Sequence, residues 1–510
     1  MQFSEKLDFL MNITKTTNSA LSLNIKLDAS HISRLRRGQR RALKDEACIK
    51  AMASFFSRHC EADYQRKAVS DALNIGQFSF DADKVSDLIV DWLRDEKTNE
   101  LKTVGNFLTG FSSAAQRVIP AIDIPEKTLN KTNTKGISVF YGVDGKRQAV
   151  ICFLSAVLAR KKPQTLLLFS DETTDWMTED REFTMKWASL MSQVLKKGHK
   201  IKIIHTISRD LDEMLNAISQ WMPLYMTGAI EPYFYPKKRD GIFKQTLFIA
   251  PETVAVVSSS VGYMLNQAAN LLFKDTSAIK AFEEEFYQYL KLCKPLMHIF
   301  TSKDQKEYYD TLLEFEKEES HSIIKTESLS LLTMPKAVAS SIVSRLEENA
   351  LDLIDCHKSR IVLFENTLRI NHVSEIIQLP DVNTVIASKV KVAFSDMLSG
   401  STAYYTAEEY ILHLEHLVFL LKNYDKFHVY LTVNIAEELY MVYAKEDLGV
   451  IVAKTSAPPV VLAINENNMT AAFWDFLKSM ICEKDFHEPN NAETIKKLTE
   501  YIQLLKQTAR

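Results

Sequence analysis

The chain has no cysteines at short spacing. Its six, Cys48, Cys60, Cys152, Cys293, Cys356 and Cys482, stand far apart with no C-x-x-C among them, which argues against a disulfide framework or a thiolate zinc site and for reduced, buried thiols in a cytoplasmic protein. Long hydrophobic runs are missing too. The longest apolar stretches, such as AVICFLSAVLA from Ala149, are too short to span a bilayer, so no membrane partner is expected. The opening MQFSEKLDFLMNITK has acidic residues and no apolar segment behind a basic cluster, and does not read as a secretory leader. Ser258, Ser259 and Ser260 lack the G-x-S-x-G context of a hydrolase elbow. Asp171, Glu172 and Asp175 lack histidines at ligand spacing and read as a solvated loop with helix caps. No cofactor or metal motif emerges and no nucleophile-base pair stands out, so an enzyme is not expected.

What is present is a chain of 510 residues, 46% apolar and 25% charged, long enough for several domains. Its net charge of −3 conceals an asymmetry. Residues 1–74 carry 13 Lys and Arg against 8 Asp and Glu, whereas the other 436 carry 49 against 57. A basic head before an acidic body fits a head that meets phosphates and a body that does not.

The head contains a patterned run, TNSALSLNIKLDASHISRLRRGQR, from Thr17 to Arg40. The spacing predicts a helix that buries Leu21 and Ile25, a tight turn, and a second helix capped by Asp28. In that second helix Ile32 and Leu35 share a face with Ala29, while Ser30, Arg34 and Arg37 take the opposite face with Ser33 beside them. A helix opened by the polar Asn18, small Ser22 within it, apolar Leu27 before the cap, then Ile32-Ser33-Arg34-Leu35 through Gly38 to Arg40, resembles the phage-repressor (Cro/C1, or Xre) class of helix-turn-helix domains. Lys26 departs from it, standing where many members have the turn glycine. The resemblance implies sequence-specific binding of double-stranded DNA by a transcriptional regulator of bacterial type. It makes Asn18 the polar residue that opens the DNA-facing pair of helices and Ser30, His31, Ser33 and Arg34 candidates for base contacts. Arg36, Arg37, Arg40, Arg41 and Lys44 would meet phosphates, which position without reading sequence. A solvated basic face on a helical bundle would show the same charge run, and a salt titration separates the two.

Residues 75–135 read as a helical connector, with Val85, Leu88, Ile89, Trp92 and Leu93 at helical spacing, followed by a Pro- and Asn-containing linker from Pro120 to Gly136. Beyond it the rhythm becomes α/β. ISVFYG, TLLLFS, KIKIIHTI, PYFYP, TLFIA and TVAVVSSS read as strands, and segments near 146–159, 180–197 and 211–221 as helices. The region after about Lys280 repeats the plan: Thr184 to Ile207 pairs in pattern with Ile411 to Val433, TLLLFSDE from Thr165 with RIVLFEN from Arg360, and the hairpin at 246–260 with one at 450–465. The expected fold is therefore multi-domain. A helix-turn-helix head (1–74) and a helical connector (75–135) precede a two-lobed α/β body (136–280 and 281–510) with an internal duplication. Such a body resembles the phospholipase D-like fold, whose halves each carry H-x-K followed by Asp. The strand exits here, His205 to Asp210 and Leu431 to Asn434, do not match that motif, so the resemblance implies no catalysis by that route.

An effector, a small molecule or a peptide, is expected on the body. Lys146 and Arg147, between a strand and a helix, are candidates to hold an anion, although a plain strand-to-helix turn explains them as well. His205 and Arg209 close a strand near whose end ligands of open α/β sheets bind, with Trp221, Tyr225, Tyr233 and Tyr235 as pocket walls. A packed aromatic cluster explains the same residues. Because one short helix makes few base contacts, a homodimer reading two half-sites is expected. The competing expectation is a DNA-targeted, phosphodiester-cleaving enzyme with an unrecognised site.

Overall fold

The computed structural model describes residues 3–25, 27–36, 46–73, 75, 82–114, 136–172, 175–205, 211–236, 242–261, 268–346, 350–395, 397, 402–432, 439–482 and 491–509. The chain divides into two units, Met1–Asn106 and Phe107–Arg510.

The described part of the first unit is helical. It comprises α1 (Phe3–Ile13), α2 (Asn18–Ile25), α3 (Ala29–Arg36), α4 (Glu46–Arg58), α5 (Asp63–Ala72) and the first part of α6 (Ala82–Ser113), a 32-residue helix inside which the unit boundary falls. Apolar residues three and four apart build one core: Leu7, Leu10 and Met11 of α1, Leu21 and Ile25 of α2, Ile32 and Leu35 of α3, and Phe56 of α4. From α6 come Val85, Ile89 and Leu93. Leu88, expected on that face, is exposed, because it lies outside the i, i+4, i+8 row of those three. The hydroxyl of Thr17 accepts from the Ala20 amide at 3.1 Å and caps α2.

The second unit holds an α/β body with two mixed sheets. Its first lobe runs β1 (Ile137–Tyr141), α7 (Gly142–Ala159), β2 (Thr165–Ser170), α8 (Asp175–Thr178), α9 (Arg181–Lys196), β3 (Lys200–His205), α10 (Leu211–Tyr225), β4 (Ile230–Phe234), β5 (Phe243–Ala250), β6 (Val254–Val261), β7 (Ala269–Phe273), α11 (Thr276–Leu290) and β8 (Lys294–Pro295). The second runs β9 (His298–Thr301), α12 (Gln305–Lys317), β10 (Ser322–Lys325), a 3-10 turn (Leu331–Thr333), α13 (Lys336–Ser344), α14 (Ala350–Ile370), β11 (Val373–Gln378), α15 (Val382–Ile386), α16 (Ala407–Asn423), β12 (Phe427–Thr432), β13 (Tyr440–Lys445), β14 (Gly449–Lys454), β15 (Val460–Ile464), α17 (Asn467–Cys482) and α18 (Asn491–Thr508).

The first sheet has the order β1-β7-β6-β5-β2-β3-β4-β8 and the second β9-β15-β14-β13-β10-β11-β12. Numbered within each lobe, the seven shared strands follow one order and one set of senses: β2, β3 and β4 are mutually parallel, as are β10, β11 and β12. The remaining shared pairs are antiparallel in both. By this topology β3 corresponds to β11, and the helix before it, α9, corresponds to α14. The pairing of Thr184–Ile207 with Ile411–Val433 is therefore displaced by one helix-strand step. RIVLFEN, expected as a strand, lies inside α14. Its buried residues Arg360 and Phe364 continue to Leu368 at i, i+4 and i+8, and that helical period outweighs the β-branched composition of the short segment.

Candidate functional site

In the head, the carboxylate of Asp28 accepts from the Ser30 hydroxyl at 2.6 Å and the His31 amide at 2.7 Å. The Ser30 bond first, then the amide, holds that carboxyl below its usual pKa. This cap opens α3 where the sequence places it. Ile32 and Leu35 are buried, Ser30 and Arg34 are exposed, and His31 and Ser33 are half-buried. Arg36 departs from its expected role. Its Nε and Nη2 donate to Asp8 Oδ1 at 3.0 and 2.5 Å, and its Nη1 donates to Asn18 Oδ1 at 3.2 Å. Asn12 Oδ1 accepts from Nη2 at 3.3 Å. Arg36 and Asn18 thus meet in a clamp that fixes α3 to α1 and to the start of α2. Arg37, Arg40 and Arg41, with Lys26, Gly38 and Lys44, lie outside the described residues.

In the first lobe a row of polar side chains, all buried except the half-buried Ser170, crosses the sheet. Cross-strand partners link His205 to Ser170, Ser170 to Thr246, Thr246 to Ser258, and Ser258 to Asn270. Lys146 of α7 sits on its centre, donating to Thr246 Oγ1 at 2.6 Å and contacting the Glu172 carboxylate. Thr246 in turn shares a hydrogen bond of 2.8 Å with Ser170, and the Ser258 and Ser260 hydroxyls reach Glu172 Oε1 at 3.4 Å. Desolvation pulls the Lys146 pKa down, opposed by Asp171; Glu172 in contact acts in the same sense as Asp171. Asn270 Nδ2 donates to the Gly142 carbonyl at 3.0 Å, tying down the turn into α7. Gly142 there has φ +68°, and a Cβ on Gly145 would stand 2.8 Å from the Phe140 carbonyl carbon.

This arrangement corrects several expectations. Helix α7 begins at Gly142, so Lys146 lies one turn inside it on the buried face. Glu172, read as part of a solvated loop, is buried as its counter-ion. Arg147 donates to the Trp176 carbonyl at 2.7 Å and to Asp144 at 2.9 Å, and lies 3.9 Å from both Glu179 and Asp180. An anion between Lys146 and Arg147 would face these carboxylates, so the two do not form an anion cradle. Tyr233 pairs with Ile204 across β3 and β4, on the face opposite His205; its hydroxyl donates to Glu231 at 2.9 Å. Tyr235 packs on Tyr289 of α11 at 5.5 Å between ring centroids. Neither reaches His205. Arg209 and Asp210 lie outside the described residues.

His205, Trp221 and Tyr225 do converge. The Tyr225 hydroxyl lies 2.5 Å from His205 Nε2, the Trp221 ring stands 5.7 Å from the imidazole, and Trp187 is 5.6 Å from Trp221. Burial pushes His205 down to about 4, so the imidazole is neutral at pH 7. His205, Trp221 and Trp187 wall a cavity of about 100 Å³ that Ser170, Glu172, Trp176 and Phe248 also line, with Tyr225 behind His205. Its lining includes Ser170 and His205, the last residues of β2 and β3, near the strand ends where ligands of open α/β sheets usually bind. A sequence signal for the buried polar row was the run Ser258-Ser259-Ser260, in which the two outer serines share the face that meets Glu172.

Among the described residues the second lobe has no equivalent row: Lys325 at the end of β10 is followed across the sheet by Val442, Val452 and Leu462. Two groups of its buried polar side chains are paired within the lobe. Arg360 grips Glu316 through Nε at 2.8 Å and Nη2 at 2.7 Å, and His413 lies 3.1 Å from both Thr333 Oγ1 and the Tyr405 hydroxyl.

No known family model matches the chain, and no curated protein matches it. Among solved structures it is similar to TrmBL2, described as an archaeal chromatin protein with a novel mode of DNA binding, at 15% identity over 45% of this chain and 80% of that one. The TM-score is 0.22, a likeness too slight to carry an argument. Among the described residues no helix is long and apolar enough to cross a membrane.

Proposed function

We propose that the chain is a sequence-specific DNA-binding transcriptional regulator of the phage-repressor helix-turn-helix class. On this reading the head binds an operator as part of a dimer, and the duplicated α/β body senses an effector. One observation carries it: α3 buries Ile32 and Leu35 while exposing Arg34 and Ser30, and Arg36 clamps the helix from behind through Asp8 and Asn18. A helix so held, with short polar residues and a cation outward, has what entry into a major groove requires. The shared strand order of the two sheets supports the duplication. The body is read as non-catalytic; no histidine of the sequence is followed two residues later by lysine, which argues against the phospholipase D-like route for the alternative, a phosphodiester-cleaving enzyme. Selection of duplexes from a random pool by the full chain tests the proposal. It should enrich two half-sites about one helical turn apart; a bound pool without any shared motif counts against it.

A further inference from the structure

The first-lobe cavity has features that the packing of the lobe does not call for. Tyr225 is fully buried, and among the described residues its hydroxyl has one partner, His205 Nε2, to which a buried O–H must donate if it is not to be stranded. The imidazole therefore accepts there and carries its own proton on Nδ1. Among the described residues that Nδ1–H has no hydrogen-bond acceptor, although His205 is 91% buried and lines the cavity. A buried donor without an acceptor costs free energy that a ligand could recover.

The walls specify the rest. Trp176, Trp187 and Trp221, with Phe153 and Phe248, offer flat apolar faces. Among the described residues the one charged side chain of the lining, Glu172, is neutralised by Lys146, so a charged guest would lose its hydration there without gaining a counter-ion. The volume of about 100 Å³ is somewhat below the roughly 150 Å³ of an apolar cavity that accepts benzene. Met177 and Met191 are adaptable walls that can widen it. We propose that this cavity binds a neutral, single-ring aromatic molecule bearing one hydrogen-bond acceptor, held by the Nδ1–H of His205. The assignment rests on the reading of the body as a sensor and names the chemical class of its effector.

Pyridine and benzene, equal in shape and differing in one acceptor, are the probes, followed on the full chain by ligand-observed NMR and tryptophan fluorescence at pH 7.5. Pyridine should bind about two- to tenfold tighter than benzene, the yield of one neutral hydrogen bond. His205→Phe combined with Tyr225→Phe, which leaves no hydroxyl orphaned, should keep benzene and lose the preference. Met191→Trp should exclude both. Equal affinity of the two probes in the unaltered chain, or no binding of either by a folded chain, overturns the assignment. DNA affinity is measured separately with and without pyridine. Pyridine binding that leaves DNA affinity unchanged upholds the site and overturns the sensor reading.

Discussion

Two arginines two residues apart on α3 should behave in opposite ways. Arg34 is exposed, so Arg34→Ala should leave the fold untouched and weaken DNA binding. If the guanidinium meets a phosphate, the slope of log affinity against log salt should become shallower by about 0.9, which between 50 and 200 mM salt makes the fall in affinity roughly 3.5-fold smaller. If it reads a base, the loss should be about 1–3 kcal/mol and confined to one position of the operator. Arg36→Ala should instead loosen the head. Arg36 holds Asp8, Asn12 and Asn18 together, but the Asp8 side chain is 44% exposed, so solvent screening limits the loss to about 1 kcal/mol. Fluorescence anisotropy on a selected duplex at several salt concentrations, with thermal melting of each variant, separates the two. The reasoning fails if Arg34→Ala binds with unchanged affinity, slope and sequence preference. It fails equally if Arg36→Ala melts like the unaltered chain while losing DNA.

Other sites make independent predictions. Burial raises the Glu375 carboxyl to about 8 from 4.5, with the Ser330 hydroxyl acting the other way. Because the folded state then binds more protons than the unfolded one between those values, stability should fall as pH rises from about 4.5 to 8, by up to about 1.4 kcal/mol per unit. Glu375→Gln should flatten the denaturation midpoint over that window, and an unchanged pH profile counts against the buried carboxyl. Glu316→Gln should cost about 3–5 kcal/mol by stranding the Arg360 guanidinium, whereas Glu316→Leu with Arg360→Met should recover most of it in chemical denaturation. Gly145→Ala should lower the melting temperature by an amount equivalent to about 1–3 kcal/mol, because its Cβ meets backbone at Phe140; no change would mean the turn relaxes freely.

The sequence was most legible where periodicity was strong and local. Leu21, Ile25, Ile32 and Leu35 fell where a helical period puts them, Asp28 caps as its position implies, and all the first-lobe strands named from β-branched runs formed. What escaped was long-range. RIVLFEN is too short to distinguish a strand from a buried helical stretch, and only the Glu316 partner 44 residues away explains why Arg360 faces inward. Glu172 looked solvated because its counter-ion comes from α7, 26 residues earlier in the chain. Tyr233 was misplaced by one strand position, enough to send it to the opposite face. Arg36 looked like a phosphate contact because charge pattern alone does not reveal Asp8, 28 residues upstream.

The most direct measurement is photocrosslinking from a photoreactive residue at position 33, in place of Ser33, with the full chain bound to a selected duplex. The account predicts crosslinks to bases within each half-site, lost when competing operator is added. A stable complex in which position 33 yields none, while the same residue at a position in the α/β body does, would contradict it.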